Sequence, residues 1–157
     1  MATNIFQREV GQLLRQSFPI ANRLDDAFTN REGGFQVSRK PYDFYGCTSM
    51  GTYFGAEAKK VQEIRFPIRN LEEHQRAALS KLEDNTAHAF LFINWRYTHK
   101  AGEAIWIPFH EYCAVEYLVL STGTKSLKPD NFDEDWFLKR VTGGWSIPET
   151  HNLYYLI

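Results

Sequence analysis

Two neighbouring segments rich in aromatic and β-branched residues constrain the fold of this 157-residue chain most strongly. They read AHAFLFINWRY at 87–97 and EAIWIPF at 103–109, and the intervening THKAG has the composition of a turn. Side chains of these types favour strands because they pack well on a pleated, partly buried surface. The two segments therefore predict consecutive strands of a central sheet.

Helical patterns lie on either side of these strands. Apolar residues recur at the spacing of one helical face in residues 4–17 and again in residues 69–82. Residues 110–120 predict a further helix and residues 133–140 a short one, while the terminal LYYLI fits either a last strand or a docked extension. The chain therefore combines helices with strands.

Two more strands are predicted between the first two helices. Residues 36–44 and 52–61 have the composition of strands, and the turn-rich GCTSMG between them favours a hairpin. Residues 19–40 contain Pro, Asp-Asp and Gly-Gly steps, which predict loops around one short turn. The order of helix, hairpin, helix, two strands and helix predicts an α/β fold around a central sheet, as a single domain over residues 1–157.

Composition excludes several classes of protein. Hydrophobic residues make up 43% and aromatic residues 15% of the chain, which excludes intrinsic disorder. No apolar run reaches the roughly 18 to 20 residues of a membrane helix, and charges interrupt the N-terminal segment where a signal peptide needs apolar residues. Two cysteines, Cys47 and Cys113, are too few for a disulfide scaffold, so we expect a cytoplasmic protein. A net charge of −1 disfavours a nucleic-acid coat protein but is compatible with a metal-dependent nuclease.

Two acids, Asp43 and Glu57, which we call the acidic pair, form the candidate chemical site together with Lys59. Glu57 and Lys59 point to the same face of their predicted strand because side chains alternate along a strand. Asp43, on the other arm of the hairpin, is expected opposite them. Two converging carboxylates suit a hard cation such as Mg²⁺, and a nearby lysine can stabilise charge on a phosphate. The same residues also occur widely as solvated charges, so the pattern alone leaves both interpretations open.

Gln75 is a polar residue on the predicted buried face of the second helix. On the helical wheel it lies between Leu79 and Leu82 and close to Leu71. A buried amide left without partners costs about 1–3 kcal/mol, so its side chain must find hydrogen bonds. Two interpretations follow. Its oxygen reaches the acidic pair, or its amide caps backbone groups where the helix meets the sheet.

Four motifs occur together in an order that is typical of one nuclease family. They read PYDFYG from 41, YFGAEAKK from 53, RFPIRNLEEHQRAAL from 65 and GGWSIP from 143. The features are an aspartate before a glycine turn, a Glu-Ala-Lys strand, a Phe-Pro step, a His-Gln pair that opens a helix, and a Gly-Gly and Ser-Ile-Pro tail. In these motifs the chain resembles the RecU-like Holliday junction resolvases, a branch of the PD-(D/E)XK nuclease superfamily.

This resemblance implies a restriction-endonuclease-like fold, with a central mixed β-sheet flanked by helices. It implies a magnesium-dependent endonuclease that acts on branched DNA as a homodimer, with Mn²⁺ as an alternative ion. It assigns Asp43, Glu57 and Gln75 to the metal site and gives Lys59 the role of stabilising the transition state. Many superfamily members also carry a catalytic glutamate on the first helix, for which Glu9 is the candidate here.

Two departures from the family pattern concern the metal ligands and the junction. Pro41 stands where the family has a threonine with a metal-binding oxygen, so the predicted site lacks that ligand or uses water instead. The family's long basic stalk corresponds to residues 19–40, which are short in this chain. The shortened stalk affects the expectation of junction selectivity more than the expectation of cleavage.

Basic residues near the acidic pair are candidate DNA contacts. Six basic and three acidic residues occur between positions 36 and 70. The candidates are Arg39, Lys40, Lys60, Arg65 and Arg69, with a solvated surface as the alternative. Two other functions remain open: a less selective nuclease of a phage or mobile element with the same fold, and a non-catalytic DNA-binding module with a degenerate site.

Overall fold

A mixed sheet around one long strand organises the computed structural model, which describes residues 4–25, 27–31, 34–97 and 100–157. The α-helices are α1 (Ile5–Ser17), α2 (Glu73–Asp84) and α3 (Phe109–Ser121). The strands are β1 (Ile20–Arg23), β2 (Ala27–Arg31), β3 (Gly34–Ser38), β4 (Phe44–Cys47), β5 (Tyr53–Val61), β6 (Phe66–Pro67), β7 (His88–Trp95), β8 (Glu103–Pro108), β9 (Ser126–Leu127), β10 (Lys139–Val141) and β11 (Gly144–Ser146).

Five of these strands form the central sheet in the order β1-β4-β5-β7-β8. β5 and β7 run parallel, with α2 in the connection between them, and the other neighbouring strands are antiparallel. The parallel pairing extends from Phe54 and His88 to Val61 and Trp95, so these two strands end at the same edge of the sheet. The expected central mixed sheet flanked by helices is confirmed.

Alternation along the strands divides the core into two layers. Ala56 and Ala58 of β5 point toward α1, and we call this side of the sheet the α1 face. The alternate positions of β5, including Glu57, point toward α2, and this side is the α2 face. Leu79 of α2 and Tyr112 of α3 are buried there against β7 and β8. Glu57 therefore emerges within a helix-covered layer rather than on an open surface.

The C-terminal segment completes the α1 face. β10 and β11 pair in a hairpin, and Trp145 of β11 meets Phe6 of α1 edge to face, with ring centroids 6.4 Å apart. Leu153 and Leu156 are buried in the same layer, the latter within the 3₁₀ turn Tyr154–Leu156. Of the two expectations for LYYLI, the structure has the docked extension.

The segment between α1 and β4 differs from the prediction. Loops are predicted at 19–40, but β1 pairs with β4 at the edge of the sheet, and β2 pairs with β3 in a separate hairpin. β1 has four residues and is largely exposed, so its conformation comes from pairing with β4 and not from an alternating pattern. The strand predicted at 36–44 is divided, with β3 ending at Ser38 and β4 beginning at Phe44. Pro41 between them has no N–H to donate to a strand ladder.

The second helix begins later than predicted. Helical spacing predicts residues 69–82, whereas the chain forms a 3₁₀ turn at Ile68–Asn70 and α2 begins at Glu73. The start is set by one half of a capping box: the Glu72 N–H donates to Gln75 Oε1 at 3.0 Å, while the Gln75 N–H donates to the Glu72 carbonyl at 3.0 Å. Gln75 thus takes part in defining where α2 begins.

The remaining predicted helices have different outcomes. The helix predicted at 110–120 is α3. The short helix predicted at 133–140 is instead a 3₁₀ turn, Glu134–Trp136, followed by β10, because β10 pairs with β11 across a turn in which Gly143 has a positive φ of 76°. Within the described ranges, no helix is both long enough and apolar enough to cross a membrane.

Candidate active site

The β4–β5 hairpin places the acidic pair side by side. Phe44 pairs with Ala56, so Asp43, one position ahead of β4, lies opposite Glu57. The Asp43 N–H donates to the Ala56 carbonyl at 3.0 Å, and the Ala58 N–H donates to Asp43 Oδ2 at 3.0 Å. Both acids are only 2% exposed. The structure therefore brings together two buried carboxyl groups that are fourteen positions apart in the chain.

A lysine contacts each member of the acidic pair. Lys40 Nζ lies 3.0 Å from Asp43 Oδ1, and Lys59 Nζ lies 3.4 Å from Glu57 Oε1. Each lysine side chain is 20% exposed. The two ammonium groups therefore lie between the buried acids and the solvent.

Glu57 is the less well satisfied of the two acids. Burial is the main cause that raises the pKa of Glu57 to about 8; the charge of Asp43 adds to the shift and Lys59 opposes it. Its Oε2 atom is buried without a hydrogen-bond partner. A buried carboxylate with too few hydrogen-bond donors is stabilised by a cation that binds next to it. The acidic pair thus has the burial, the charge and the oxygen atoms that suit a divalent ion.

Two carboxyl groups at one site are compatible with a hard divalent ion. Mg²⁺ is commonly bound by one or two carboxylates, and water and substrate phosphates supply its other oxygen ligands. In the part of the chain that the structure describes, no group of three or more His, Cys, Asp or Glu side chains is arranged to hold a metal. Among these residues, Asp43 and Glu57 are a pair of carboxyl groups whose oxygens could contribute to a site for a divalent ion.

Gln75 contacts the acidic pair through its nitrogen, while its oxygen is used elsewhere. Its Nε2 donates to Glu57 Oε1 at 2.9 Å, and its Oε1 accepts the Glu72 N–H at 3.0 Å in the capping box. The structure therefore agrees in part with both interpretations of the sequence, because Gln75 caps α2 and also contacts the acidic pair. In this arrangement the Gln75 side chain connects the start of α2 with Glu57, and its role in the metal site stays a prediction.

Glu9 lies on α1, across the sheet from Glu57. Arg96 Nη2 donates to both of its carboxylate oxygens, at 3.0 and 3.1 Å. Arg140 Nη1 donates to Oε1 and Trp145 Nε1 donates to Oε2, each at 2.8 Å. Burial raises the pKa of Glu9, but these hydrogen bonds outweigh it and hold the pKa below its usual value. The contacts described for Glu9 connect it to cations and to an indole, and not to the acidic pair.

The other predicted DNA contacts are spread over several elements. Lys60 alternates with Lys59 along β5 and therefore points to the α1 face. Arg65 and Arg69 are exposed in the connection between β5 and α2, and Arg39 is exposed ahead of β4. Of the five predicted DNA contacts, all within the described part of the chain, only Lys40 forms an ion pair with the acidic pair.

Sequence reasoning missed two basic residues that the fold brings together, Arg96 and Arg140. Arg96 directly follows the buried strand β7, and a cation at that position was the available signal. Arg140 lies in the exposed strand β10, three residues before the Gly-Gly motif, and carried no local signal of its own. Their association is visible only in the tertiary structure.

A comparison with known families identifies the kind of protein this is. The family model of RecU, Recombination protein U, matches residues 22–150. The chain belongs to the RecU family. This confirms the resemblance found in the sequence motifs, and membership of the family implies a nuclease that acts in recombination. Asp43, Glu57, Lys59 and Gln75 lie within the matched residues, whereas Glu9 lies ahead of them.

Two further comparisons accompany this one. A matching solved structure is that of Archaeoglobus fulgidus Hjc, described as a Holliday junction resolvase from an archaeal hyperthermophile. It is 18% identical over 67% of this chain and 75% of that chain, with a TM-score of 0.45. A search of curated proteins gave no match.

Proposed function

We propose that this RecU-family protein is a magnesium-dependent endonuclease that hydrolyses phosphodiester bonds in branched DNA, with four-way Holliday junctions as its substrate. The acidic pair carries the proposal. Two buried carboxyl groups lie side by side, the pKa of Glu57 is raised to about 8, and Glu57 Oε2 has no hydrogen-bond partner. Membership of the RecU family supports nuclease chemistry and a role in recombination.

The protein's own part in this chemistry is to keep both carboxylates in position. The Ala58 N–H holds Asp43, and the Gln75 amide holds Glu57. When bound, Mg²⁺ would neutralise charge on the phosphate and lower the pKa of a water molecule for attack. Mn²⁺ can replace it, because both ions accept carboxylate and water oxygens.

Lys59 would stabilise negative charge that develops on the phosphate. Its Nζ is 3.4 Å from Glu57 Oε1 and its side chain is partly exposed, so it can also donate to a phosphate oxygen that approaches the acidic pair. The catalytic role that the family resemblance implies for Glu9 is not part of this proposal. Its two carboxylate oxygens already accept hydrogen bonds from Arg96, Arg140 and Trp145.

The substrate and the assembly belong to the same proposal. Symmetric cutting of a four-way junction requires two active sites, which a homodimer supplies. The β2–β3 hairpin occupies the position in the chain where the family carries its stalk, between the first helix and Asp43. The cytoplasmic setting expected from the low cysteine content completes the proposal.

Cleavage of a labelled four-way junction with Mg²⁺ tests the acidic pair. The wild type is expected to cut, and Asp43→Asn is expected to bind the junction without cutting it. Asp84→Asn is the matched control, because Asp84 is exposed at the end of α2 and makes the same change of charge. Equal cutting by wild type and Asp43→Asn would reject the assigned site, and binding by the wild type without any Mg²⁺-dependent cutting would favour a non-catalytic DNA-binding module.

Substrate preference is tested separately from cleavage. Four-way junctions, flaps and linear duplexes of matched length and sequence are compared under single-turnover conditions. Faster cutting of the four-way junction, in symmetric pairs of cuts, supports the resolvase proposal. Equal rates on all three substrates would instead support a less selective nuclease of the same fold.

A further inference from the structure

A basic cleft lies on the α1 face, where β5 and β7 end. Its volume is about 620 Å³, and the residues that line it include Lys60, Arg96, Lys100 and Arg140. None of the described residues that line it is acidic. Lys60 comes from β5, Arg96 follows β7, and Arg140 comes from β10, so three separate parts of the chain direct positive charge toward one cavity.

Hydrogen bonds to the buried Glu9 hold the two arginines of this cleft in position. Glu9 is 5% exposed and accepts hydrogen bonds from both guanidinium groups. Trp145 contributes twice: its indole N–H donates to Glu9, and the Arg140 guanidinium lies over its ring at 5.1 Å from the centroid. The Arg140 side chain remains 37% exposed, so it is anchored while still accessible to a ligand.

The charge balance of the cleft shows which ligand suits it. Among the described residues, four cations line the cavity, and the buried carboxylate of Glu9 is a counter-charge that contacts two of them. A cavity with this excess binds anions, and anchored guanidinium groups match phosphate oxygens better than mobile lysines do. An arginine held in place also loses less conformational freedom when it binds.

The cleft also has a defined relation to the acidic pair. Lys59 and Lys60 are consecutive on β5 and point to opposite faces, so the acidic pair and the cleft lie on the two sides of the same sheet edge. A nucleic acid bound at this edge would therefore find positive charge on the face opposite the acidic pair.

We propose that this cleft binds backbone phosphates of the DNA substrate, and that Glu9 is a positioning residue that holds Arg96 and Arg140 for this purpose. The proposal builds on the proposed nuclease function, but it concerns binding and needs no metal. It also separates Glu9 from the acidic pair: one carboxylate prepares arginines for phosphate, whereas the other two would hold the ion.

The cleft is tested by DNA binding in EDTA, where no cleavage occurs. A labelled four-way junction is titrated with wild type, Lys60→Ala, Arg140→Gln and Lys81→Ala at several salt concentrations. Each lost phosphate contact is expected to lower the slope of log affinity against log salt by about 0.9. Lys81 is an exposed lysine of α2 that lines no part of the cleft, so Lys81→Ala is the charge-matched control with an unchanged slope. Unchanged slopes for Lys60→Ala and Arg140→Gln would overturn the proposal.

Glu9→Gln tests the positioning role through the sign of its effect. The substitution removes a negative charge, so electrostatics alone would tighten DNA binding. Loss of the arginine anchor is instead expected to weaken binding in EDTA by about tenfold, the value of one charged hydrogen bond. Tighter or unchanged binding by a folded Glu9→Gln would overturn the role of Glu9.

Two readouts keep this test independent of protein stability and of nuclease activity. Thermal unfolding shows whether each variant folds. If Glu9→Gln does not fold, it is replaced by Glu9→Asp, which keeps the charge but shortens the side chain. Glu9→Asp is expected to bind DNA more weakly than wild type, and binding equal to that of wild type would overturn the positioning role of Glu9. Because binding is measured without metal, failure of Mg²⁺-dependent cleavage would leave these results unaffected. A Glu9→Gln protein that binds DNA normally but does not cut it would identify Glu9 as catalytic instead.

Discussion

Glu9 and Glu57 are both buried glutamates, 5% and 2% exposed, yet their surroundings drive their pKa values in opposite directions. Glu9 accepts hydrogen bonds from two arginines and an indole, which lower its pKa. Glu57 lies beside Asp43, has an oxygen without a partner, and has a pKa raised to about 8. The comparison shows that burial alone does not make a carboxylate functional. The number of donors around it decides whether it is already neutralised or still available for a cation.

The difference arises from the two faces of the sheet. On the α1 face, β10, β11 and the end of β7 bring donors to Glu9 from three parts of the chain. On the α2 face, the neighbours of Glu57 are Gln75, which donates a hydrogen bond, Lys59, which is partly exposed, and a second acid. Glu9 is therefore surrounded by donors that stabilise its carboxylate, while Glu57 has fewer donors, and in the absence of a cation it holds a proton up to about pH 8.

The largest expected effect is the loss of cleavage in Glu57→Gln. Removing one of two carboxylates that would hold the ion should lower the single-turnover cleavage rate by about 1,000-fold, as for other charge-stabilising active-site groups. The cleavage rate of Glu9→Gln at saturating DNA should lie within about threefold of the wild-type rate, because the proposed role of Glu9 is in DNA binding. A similar loss of the cleavage rate at saturating DNA in both variants would contradict the proposed difference between the two glutamates.

The second expected effect is on stability as a function of pH. The pKa of Glu57 is about 8 in the folded protein, above the ordinary value of 4.5, so the folded state retains a proton that the unfolded state has lost. Without metal, this group should therefore lower the free energy of unfolding as pH rises from 4.5 to 8, by about 3 kcal/mol between pH 5 and 7. The pKa of Glu9 is lowered, so the effect of Glu9 on the free energy of unfolding has the opposite sign. Glu9 stabilises the folded protein above its ordinary pKa of 4.5, and this stabilisation is lost as the pH falls below that value.

Urea unfolding of wild type and Glu57→Gln in EDTA, at pH 5, 6, 7 and 8, measures this effect. Burial lowers the pKa values of the half-buried His88 and the buried His151, and both groups make stability rise with pH, but they do so equally in both proteins. The difference between the two proteins isolates Glu57. A constant difference across this range would show that the Glu57 pKa is not raised.

The third prediction compares two consecutive lysines of β5. Lys59→Ala should lower the saturated cleavage rate by about 100-fold with DNA binding retained, because Lys59 lies beside Glu57. Lys60→Ala should instead weaken binding and retain most of the saturated rate, because Lys60 lines the cleft on the other face. Single-turnover rates and EDTA binding curves measure both properties, and equal effects of the two substitutions on both would contradict the separation of the faces.

The smallest expected effect concerns Gln75. Gln75→Ala removes its bond to the Glu72 N–H and its donor to Glu57, and loss of the cap should lower the free energy of unfolding by about 1 kcal/mol. Ser80→Ala, at an exposed position within α2, is the control and should leave stability nearly unchanged. If Gln75→Ala is as stable as Ser80→Ala but does not cut DNA, Gln75 contributes to the chemistry rather than to the helix start.

Much of the site could be predicted because its parts are local. The alternation along 52–61 placed Glu57 and Lys59 on one face, and the hairpin turn placed Asp43 opposite them. The motif pattern added Gln75 and indicated the family. The segment 19–40 could not be predicted in the same way, because β1 is a short, exposed strand that depends on pairing with β4.

Sequence alone determined the elements whose signal lies within a few residues: the strand alternation, the hairpin that joins the acidic pair, and the helical faces. The tertiary structure alone decided which residues contact Glu9, because Arg96 is 87 positions and Arg140 is 131 positions away from it along the chain. The periodicity of a short segment does not indicate contacts between residues so far apart in the chain. Only the packing of α1 against the sheet and against the β10–β11 hairpin brings these charges together. The physical reason is that periodicity specifies which way a side chain points, whereas the partner it meets depends on how separate elements pack.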